Sequence, residues 1–367
     1  MIRKIKLQQH DKLIPLGWCE FFQGQVNDPE RIACKPVRVV AEHRGSIITH
    51  DGINERRLKP GRQWKKSRGH RKPIIGDWLL VDLITGQECR ILNPKNILTR
   101  ISAGVRAGQK IQEQAIAANI DALFIVTSAN NEFNESRLER YLALAKKHDV
   151  KPVIIITKND LITDGPSYRK RALAITDTPI LLVDARDKKL TSKLNQWLKI
   201  GNTIAVFGSS GVGKSTILNT LAGSKIQETG TVRMTDNRGR HTTTSRTIHL
   251  LKDGPMILDT PGIRELTLAP SKEVLSEMFA DIETFSHSCK FANCTHNSEP
   301  GCAIQEALKQ EKIDKRRLNN YQKLCAEHLF YAQVIEGSIG DNFDHKGRRK
   351  VPRERGKNST KRPKKKC

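Results

Sequence analysis

The sequence predicts a multidomain chain with an all-β segment, a central α/β domain and a helical metal-binding segment. Short apolar runs separated by turn residues at 37–100 predict the β segment. Longer apolar strands alternate with helices at 110–268, which predicts an α/β sheet covered on both faces. Beyond residue 271 the pattern is helical around three cysteines and a histidine.

The composition restricts partners and compartment. The chain has 367 residues, with 64 Lys+Arg against 39 Asp+Glu and a formal charge of +25. That excess predicts a polyanionic partner, either nucleic acid or an acidic membrane surface. No apolar run reaches the roughly 18 residues needed to span a bilayer, and the N-terminus lacks the pattern of a secretory signal. We therefore expect a cytoplasmic monomer without a membrane partner.

The two ends of the chain and one internal loop are strongly polar. Residues 1–35 predict a partly ordered N-terminal extension, and 339–367 predict a disordered basic tail. Residues 54–72 carry nine Lys/Arg and one acidic residue around Trp64. That loop is either a solvated connection or a surface that contacts phosphates. The short strands around it, within 36–102, predict a small barrel or sandwich.

The central domain, residues 110–268, contains five apolar runs that predict buried and mostly parallel strands. They are ALFIVTS (122–128), PVIIIT (152–157), PILLV (179–183), TIAVFG (203–208) and MILDT (256–260). Ser136, with Glu139 three residues later, predicts a capping box at the start of the helix between the first two strands.

A phosphate-binding loop follows the fourth strand and precedes a helix. Its residues are Gly208, Ser209, Ser210, Gly211, Val212, Gly213, Lys214, Ser215 and Thr216. The glycines let backbone N–H groups surround phosphates at a helix N-terminus. Lys214 is expected to reach the β- and γ-phosphates, and the Ser215 hydroxyl to ligate Mg²⁺. The loop therefore predicts a nucleoside triphosphate with Mg²⁺.

The fifth strand ends in a second nucleotide motif, DTPG. Asp259 is expected near Mg²⁺, and the Gly262 N–H is expected to sense the γ-phosphate. The polar loop 230–247, which precedes this strand, contains threonines at 242–244, and we assign Thr243 as a further magnesium ligand. Any of the three threonines fits that role, and a plain solvated loop is the alternative interpretation.

The second strand ends in Thr157, Lys158, Asn159 and Asp160, the pattern of a guanine-reading tetrad. Asp160 would accept hydrogen bonds from guanine N1–H and the 2-amino group, whereas adenine lacks that donor pair. In an open α/β sheet, ligands bind outside the carboxyl ends of the strands, whatever their order in the chain. Because the tetrad precedes the phosphate loop, the sequence predicts a circularly permuted GTPase domain. The strand after the tetrad would bring the Ala185 N–H to the guanine O6.

A metal site is predicted from Cys289, Cys294, His296 and Cys302, spaced C-x₄-C-x-H-x₅-C. Three thiolates and an imidazole suit tetrahedral Zn²⁺ with no open position. In a reducing compartment, such a cluster is more typical of a metal site than of a disulfide framework. We predict one structural zinc, with an iron–sulfur cluster or a chance grouping as alternatives.

Taken together, the permuted motif order, GSSGVGKS, GRHTTT, DTPGIRE and the Cys/His cluster resemble the circularly permuted ribosome-associated GTPases of the RsgA/YjeQ type over about residues 36–335. The resemblance implies an N-terminal OB-fold barrel, a permuted GTPase domain (110–268) and a C-terminal zinc-binding helical domain (271–338). It also implies action late in assembly of the small ribosomal subunit, which stimulates hydrolysis. Thr157 stands where Asn is common, and Asp184 where a small Ser is usual.

Hydrolysis is expected to be slow in isolation, because Ile263 stands where Ras-like proteins carry a water-orienting Gln. His241, directly before the threonines, is our candidate for positioning the attacking water, and a surface histidine is the alternative. We expect a GTP hydrolase in small-subunit maturation that holds rRNA through phosphate contacts. A non-catalytic GTP-binding RNA-binding or chaperone protein and an ATP-dependent P-loop enzyme are the other classes considered.

Overall fold

The computed structural model describes residues 11–43, 45–59, 71–101, 113–224, 246–259 and 270–340. The strands in these ranges are β1 (Cys34–His43), β2 (Ser46–His50), β3 (Glu55–Leu58), β4 (Trp78–Asp82), β5 (Glu88–Ile91), β6 (Ile97–Ile101), β7 (Glu113–Ala118), β8 (Ala122–Ser128), β9 (Lys151–Thr157), β10 (Ile180–Leu182), β11 (Thr203–Phe207), β12 (Arg246–Leu250) and β13 (Met256–Asp259). The α-helices are α1 (Glu20–Gln23), α2 (Asp28–Ala33), α3 (Glu135–Lys147), α4 (Gly165–Leu173), α5 (Leu190–Leu194), α6 (Lys214–Ala222), α7 (Lys272–Met278), α8 (Ala280–Ser286), α9 (Ala303–Lys309) and α10 (Lys315–Gly340). Short 3₁₀ helices cover Ile14–Leu16 and Asn159–Leu161. None of the helices within the described ranges has both the length and the apolar character to cross a bilayer.

The N-terminal helices pack against the first strands. α2 starts after Asn27, whose side chain accepts from the Glu30 N–H while the Glu30 carboxylate accepts from the Asn27 N–H. Trp18 and Phe22 are buried against Trp78 of β4, with ring centroids 4.8 and 5.9 Å from that of Trp78. Over its described residues, the predicted N-terminal extension therefore contributes to the main apolar core.

Strands β1 to β5 form an antiparallel unit in which β1 and β4 carry buried side chains on both faces. β1 pairs with β2 and β4, β2 pairs with β3, and β4 pairs with β5. Successive side chains of a strand point to opposite faces. Val37 and Val39 pack with Leu79 and Val81 on one face, whereas Trp78 faces the main core. The short apolar runs of this region do form strands, as the sequence predicts.

The central sheet has the strand order β10-β9-β8-β11-β13-β12. Its neighbouring strands run parallel, except that β12 is antiparallel to β13. The carboxyl ends of the parallel strands lie at one edge, so the loops after β9, β10 and β11 meet there. β11 follows β10 in the chain yet lies between β8 and β13 in the sheet. The strand order therefore brings the early tetrad and the later phosphate loop to the same edge.

The β1–β5 unit and the central sheet are continuous, which the predicted boundaries do not anticipate. β1 pairs with β12, where Ala41 lies opposite Thr247. β6 pairs with β7 across the predicted junction at 102–110. The fully buried Arg38 of β1 donates to the Thr203 hydroxyl of β11 at 2.8 Å. Backbone pairing and a buried guanidinium thus connect the two sheets.

The helical pattern predicted beyond residue 271 is present as α7 to α10. Ser271 caps α7, and its hydroxyl accepts from the Val274 N–H. Phe279 and Ile304 lie at 0 % exposure in a core that belongs to this segment alone. The helical segment therefore has its own hydrophobic interior beside the central domain.

The start of α3 differs from its prediction. The helix begins at Glu135, and its N-cap is Asn134, whose side chain accepts from the Arg137 N–H. The predicted capping box of Ser136 and Glu139 is therefore wrong. The error has a physical cause, since an N-cap must be the last non-helical residue, and Ser136 is already inside the helix.

Glu139 instead joins the central domain to the helical segment. Its side chain is fully buried. It accepts from Arg316 at 3.0 Å, from Arg317 at 2.9 Å and from the Asn320 amide at 2.6 Å, all on α10. A buried carboxylate needs such partners because an unpaired buried charge is costly. The network therefore anchors α10 on α3.

Candidate functional site: a nucleotide-binding edge and a metal cluster

The phosphate loop lies between β11 and α6, where two glycines are required by the backbone. Gly208 has a φ of +153°, and a Cβ added there would lie 2.2 Å from the Val126 carbonyl oxygen of β8. Gly213, at φ +97°, directly precedes α6, which begins with Lys214 and Ser215. A side chain at either glycine would be strained or would clash. The predicted loop therefore has the tight strand-to-helix turn that its sequence pattern requires.

Lys214 lies over this loop. Its Nζ donates to the Gly208 carbonyl at 2.9 Å and also to the Ser209 carbonyl. The loop N–H groups and the N-terminal end of α6 provide partial positive charge that favours a phosphate. The other predicted residues of the stretch, Ser210, Gly211, Val212, Ser215 and Thr216, lie in the loop or the first turn of α6. This arrangement is suited to holding a polyphosphate.

Thr157 connects the guanine tetrad to the phosphate loop. Its side chain is fully buried at the end of β9. The hydroxyl lies 2.6 Å from the Val212 carbonyl oxygen and 3.1 Å from that of Thr127. Both oxygens are acceptors, so the single hydroxyl proton is shared between them. A direct bond therefore spans the 55 residues between tetrad and phosphate loop.

The other tetrad residues follow at the same edge. Lys158 adopts a left-handed backbone with φ +60°, which turns the chain into the 3₁₀ helix carrying Asn159 and Asp160. Asp160 accepts from the guanidinium of Arg186 at 2.5 Å. The Ala185 carbonyl accepts from a hydroxyl of α6 at 2.7 Å, which holds the loop after β10 close to the phosphate loop.

Several predicted site residues lie outside the described part of the chain. These are Gly262, the threonines at 242–244, including Thr243, and His241. Asp259 is the last residue of β13, the strand beside β11. The described structure thus contains the guanine and phosphate loops, and the assignments to His241 and Thr243 stay predictions.

The metal cluster brings together the four residues that the spacing predicts. The ligand atoms of Cys289, Cys294, His296 and Cys302 all lie within 4.8 Å of one another. Cys289 Sγ is 3.6 Å from His296 Nδ1 and 3.9 Å from Cys302 Sγ, and Cys302 Sγ is 3.7 Å from His296 Nδ1. Tetrahedral zinc with ordinary bond lengths requires S···S of about 3.8 Å and S···N of about 3.6 Å. The donor set and these three separations fit Zn²⁺.

The surrounding backbone supports the cluster. Cys302 is 5 % exposed and directly precedes α9. Burial opposes ionisation of Cys289, but hydrogen bonds from the Ala303 and Ile304 N–H groups and with the Cys302 and Cys294 thiols together lower the pKa of that thiol. Gln305 donates to the His296 carbonyl. The first turn of α9 therefore favours a thiolate and fixes the loop that carries the imidazole.

Sequence reasoning missed three residues of the nucleotide edge. Arg137 of α3 donates to the Ser209 hydroxyl, Thr220 of α6 donates to the Ala185 carbonyl, and Arg186 contacts Asp160. The Arg137 contact follows only from the strand order, which places β8 and α3 beside β11. The Thr220 contact follows only from the packing of α6 against the loop after β10. Arg186 carries a weak local signal, because it directly follows the loop expected to meet the guanine.

These observations define a class of protein. A phosphate loop on an inner strand of a parallel sheet is joined to a guanine-type tetrad that precedes it in the chain. This is the arrangement of a circularly permuted P-loop GTPase, and comparison with known proteins supports the class.

The RsgA GTPase family model matches residues 92–269. A small ribosomal subunit biogenesis GTPase RsgA 2 of Vibrio vulnificus is 42 % identical over 328 residues, which cover 88 % of this chain and 90 % of the relative. The small ribosomal subunit biogenesis GTPase RsgA of Mesorhizobium japonicum is 40 % identical over 334 residues, covering 89 % of this chain and 93 % of the relative. The chain belongs to the RsgA GTPase family and is a GTP-hydrolysing enzyme.

Solved structures show the same fold. YjeQ from Thermotoga maritima superposes with a TM-score of 0.55 at 24 % identity, covering 81 % of this chain and 99 % of that one. YloQ, a circularly permuted GTPase, superposes with a TM-score of 0.53 at 22 % identity, covering 80 % and 95 %. The predicted resemblance and the circular permutation are therefore confirmed.

Proposed function

We propose that this chain is a GTP hydrolase that acts late in maturation of the small ribosomal subunit and that the subunit stimulates its turnover. The bond between the Thr157 hydroxyl and the Val212 carbonyl at 2.6 Å carries the proposal, because it joins a base-reading loop and a phosphate loop into one site. Family membership supports the reaction, and the names of the relatives support the ribosomal process.

The base is read by the tetrad. Asp160 accepts from guanine N1–H and the 2-amino group, Lys158 packs along the ring, and the Ala185 N–H meets O6. Thr157 and Asn159 hold the loop in place, since the Asn159 N–H lies 3.4 Å from the Val183 carbonyl of the neighbouring chain segment. A carboxylate at this position discriminates against adenine because adenine offers no matching pair of donors.

The phosphates are held by the loop N–H groups and Lys214, which moves from its backbone carbonyls to the β- and γ-phosphate oxygens. Ser215 and Thr243 would ligate Mg²⁺, with Asp259 beside it. When bound, the ion would offset the negative charge of the phosphates. The Gly262 N–H senses the γ-phosphate. His241 positions the attacking water when the small subunit is bound.

Three parts besides the GTPase domain (110–268) contact the ribosomal particle. We assign them as an OB-fold barrel at 36–102, a zinc-binding domain at 271–338 and a basic tail at 339–367. The cysteine and histidine cluster holds one structural Zn²⁺. The net charge of +25 favours rRNA phosphates, so binding is expected to weaken steeply with salt. The protein is assigned as a cytoplasmic monomer.

GTP turnover measured with purified small and large subunits tests the proposal. The small subunit should raise the turnover number by at least about tenfold, and the large subunit should not. The effect should decrease between low and high salt. Lys214→Ala is the matched inactive control. Equal stimulation by both subunits, or GTP binding without turnover under any condition, would contradict the proposal.

The role of His241 is tested in the same assay. His241→Ala should abolish stimulation by the small subunit while leaving the affinity for GTP unchanged, because the side chain is assigned to water and not to nucleotide. His249→Ala on β12 is the matched histidine control. Unchanged stimulation in His241→Ala would remove this residue from the mechanism.

A further inference from the structure

We propose that Arg186 is a gate at the guanine site: its guanidinium competes with the base for the Asp160 carboxylate, and Asp184 holds it when the base is bound. This inference rests on the proposed guanine site and adds a residue that controls access to it. It concerns the described residues after β9 and β10 alone.

The geometry shows one arginine between two carboxylates. Arg186 Nη2 lies 2.5 Å from Asp160 Oδ2, and Arg186 Nε lies 3.4 Å from Asp184 Oδ1. The Asp184 carboxylate is oriented by the Arg186 backbone N–H at 2.9 Å. The hydrogen bond to Asp184 and the charges of both carboxylates raise the pKa of Arg186. The guanidinium therefore stays charged and has two alternative acceptors within reach.

Guanine binding requires the acceptor that Arg186 contacts. The N1–H and 2-amino donors of the base need both oxygens of one carboxylate, and Asp160 Oδ2 already accepts from the guanidinium. A charged donor makes a stronger hydrogen bond than a neutral one, so the arginine is an effective competitor. It must leave Asp160 before the base is fully bound.

The competition is weak enough to be reversible. The Arg186 side chain is 68 % exposed and that of Asp160 is 24 % exposed. Exposed ion pairs contribute little free energy, and salt screens them. A gate of this kind therefore reduces guanine affinity by a small factor without closing the site. It also makes that factor depend on ionic strength.

Asp184 gives the displaced arginine a second position. The sequence resemblance leads us to expect a small serine at this position. The contact to O6 is assigned to the Ala185 N–H, so the Asp184 carboxylate is not needed for it. Its carboxylate is 33 % exposed and already faces Arg186. Transfer of the guanidinium from Asp160 to Asp184 keeps its charge paired during nucleotide binding. This role accounts for an aspartate, in place of the expected serine, at position 184.

Binding of fluorescent GDP and GTP to four full-length variants tests the gate. Arg186→Ala should bind both nucleotides about two- to fivefold more tightly than the wild type, and the gain should shrink in about 1 M salt. Asp184→Asn should weaken binding by about twofold when Arg186 is present. It should have no effect in the Arg186→Ala background, because the displaced group is then missing.

Arg169→Ala is the matched control, since Arg169 is an exposed cation on α4. Loss of a positive charge alone weakens the binding of an anionic nucleotide, so a gain in Arg186→Ala has the opposite sign. Affinity in Arg186→Ala equal to or below that of Arg169→Ala would overturn the gate, and would favour an arginine that packs on the base. Absence of guanine binding in the wild type would overturn the proposed site itself and the gate with it.

Discussion

The metal cluster and the nucleotide edge are built in different ways. The four candidate metal ligands lie within fourteen consecutive residues, 289–302, and their spacing brings the ligand atoms together. The nucleotide edge takes its groups from loops after β9, β10 and β11, which are brought together by strand order. A local cluster depends on its own turn and one helix, whereas a site assembled by topology depends on the contacts that hold the sheet and its helices in place.

The largest effect is expected from breaking the local cluster. Cys302→Ala, or removal of zinc by a chelator, should unfold the α7–α10 segment, because structural zinc contributes on the order of 10 kcal/mol in small domains. The central sheet should persist, so GTP binding should survive. Limited proteolysis and far-ultraviolet circular dichroism measure the loss.

Cys325→Ala is the control for that experiment. Cys325 packs against the same core without belonging to the cluster. Cys325→Ala should lower the free energy of unfolding only by the ordinary cost of a small cavity, about 1–2 kcal/mol. Equal sensitivity of the two cysteine variants, or no response to the chelator, would contradict a structural metal.

The next largest effect is expected from breaking the contact between α3 of the central domain and α10 of the helical segment. Glu139→Ala removes a buried carboxylate that accepts from Arg316 and Arg317, and leaves Arg317 with Asp281 as its ion-pair partner. The free energy of unfolding should fall by about 3–5 kcal/mol. Urea denaturation measures it. Glu135→Ala is the matched variant on the same helix, where the ion pair with Arg171 is partly exposed and is worth below about 1 kcal/mol. Similar losses in both would refute the anchoring role.

A pH dependence is expected where the paired strands β6 and β7 meet the end of α3. Burial lowers the pKa of His148 to about 4, and Lys147 adds to the effect. Its Nε2 accepts from the Thr99 N–H at 3.4 Å, so the neutral ring is the form that fits. The unfolded chain binds a proton near pH 6.5 and the folded one does not, so stability falls as the pH drops from 6.5 to about 4.

The separation of the folded and unfolded pKa values of His148 corresponds to a loss of about 3 kcal/mol in the free energy of unfolding. Unfolding free energies at pH 7, 5.5 and 4.5 for the wild type and His148→Gln isolate it from the titration of carboxylates. The difference between the two proteins should change with pH in this window. A constant difference would show that His148 has the same pKa in the folded and unfolded chains, and would contradict this prediction.

The smallest effect sharpens the account of the assembled site. Thr157→Val keeps the shape of the side chain but removes the hydroxyl that bonds to the Val212 carbonyl. A buried acceptor left without a donor costs about 1–3 kcal/mol, and we expect part of this as an approximately tenfold weaker affinity for GDP. Thr157→Ser should restore binding. If Thr157→Val leaves the nucleotide affinity unchanged, the bond between the tetrad and the phosphate loop does not contribute to nucleotide binding.

The sequence predicted best those features that depend on short-range patterns. Buried strands such as Ala122–Ser128 agree with their apolar runs, and the metal ligands follow from spacing. The shared edge of the tetrad and the phosphate loop was also predictable, because parallel strands align their carboxyl ends. These inferences use only local periodicity and one topological rule.

Other features depend on contacts that no local pattern records. Glu139 has the sequence position of a capping residue, but its partners on α10 lie more than 170 residues away. Arg38 looks like a surface residue of a strand until β11 packs beside it. Arg186 is exposed, and its role follows only from the position of Asp160 on the adjacent loop. Long-range pairing of charged groups is therefore where sequence reasoning fails here.

The most direct test of the assembled guanine site exchanges its specificity. Asp160→Asn replaces an acceptor by a donor-bearing amide, which matches the 2-oxo group of xanthine. The ratio of kcat/KM for GTP to that for XTP should fall by at least about 100-fold, while Asp187→Asn should leave it unchanged. A variant Asp160→Asn that retains the wild-type preference for GTP would contradict the claim that this early tetrad reads the base held by the later phosphate loop.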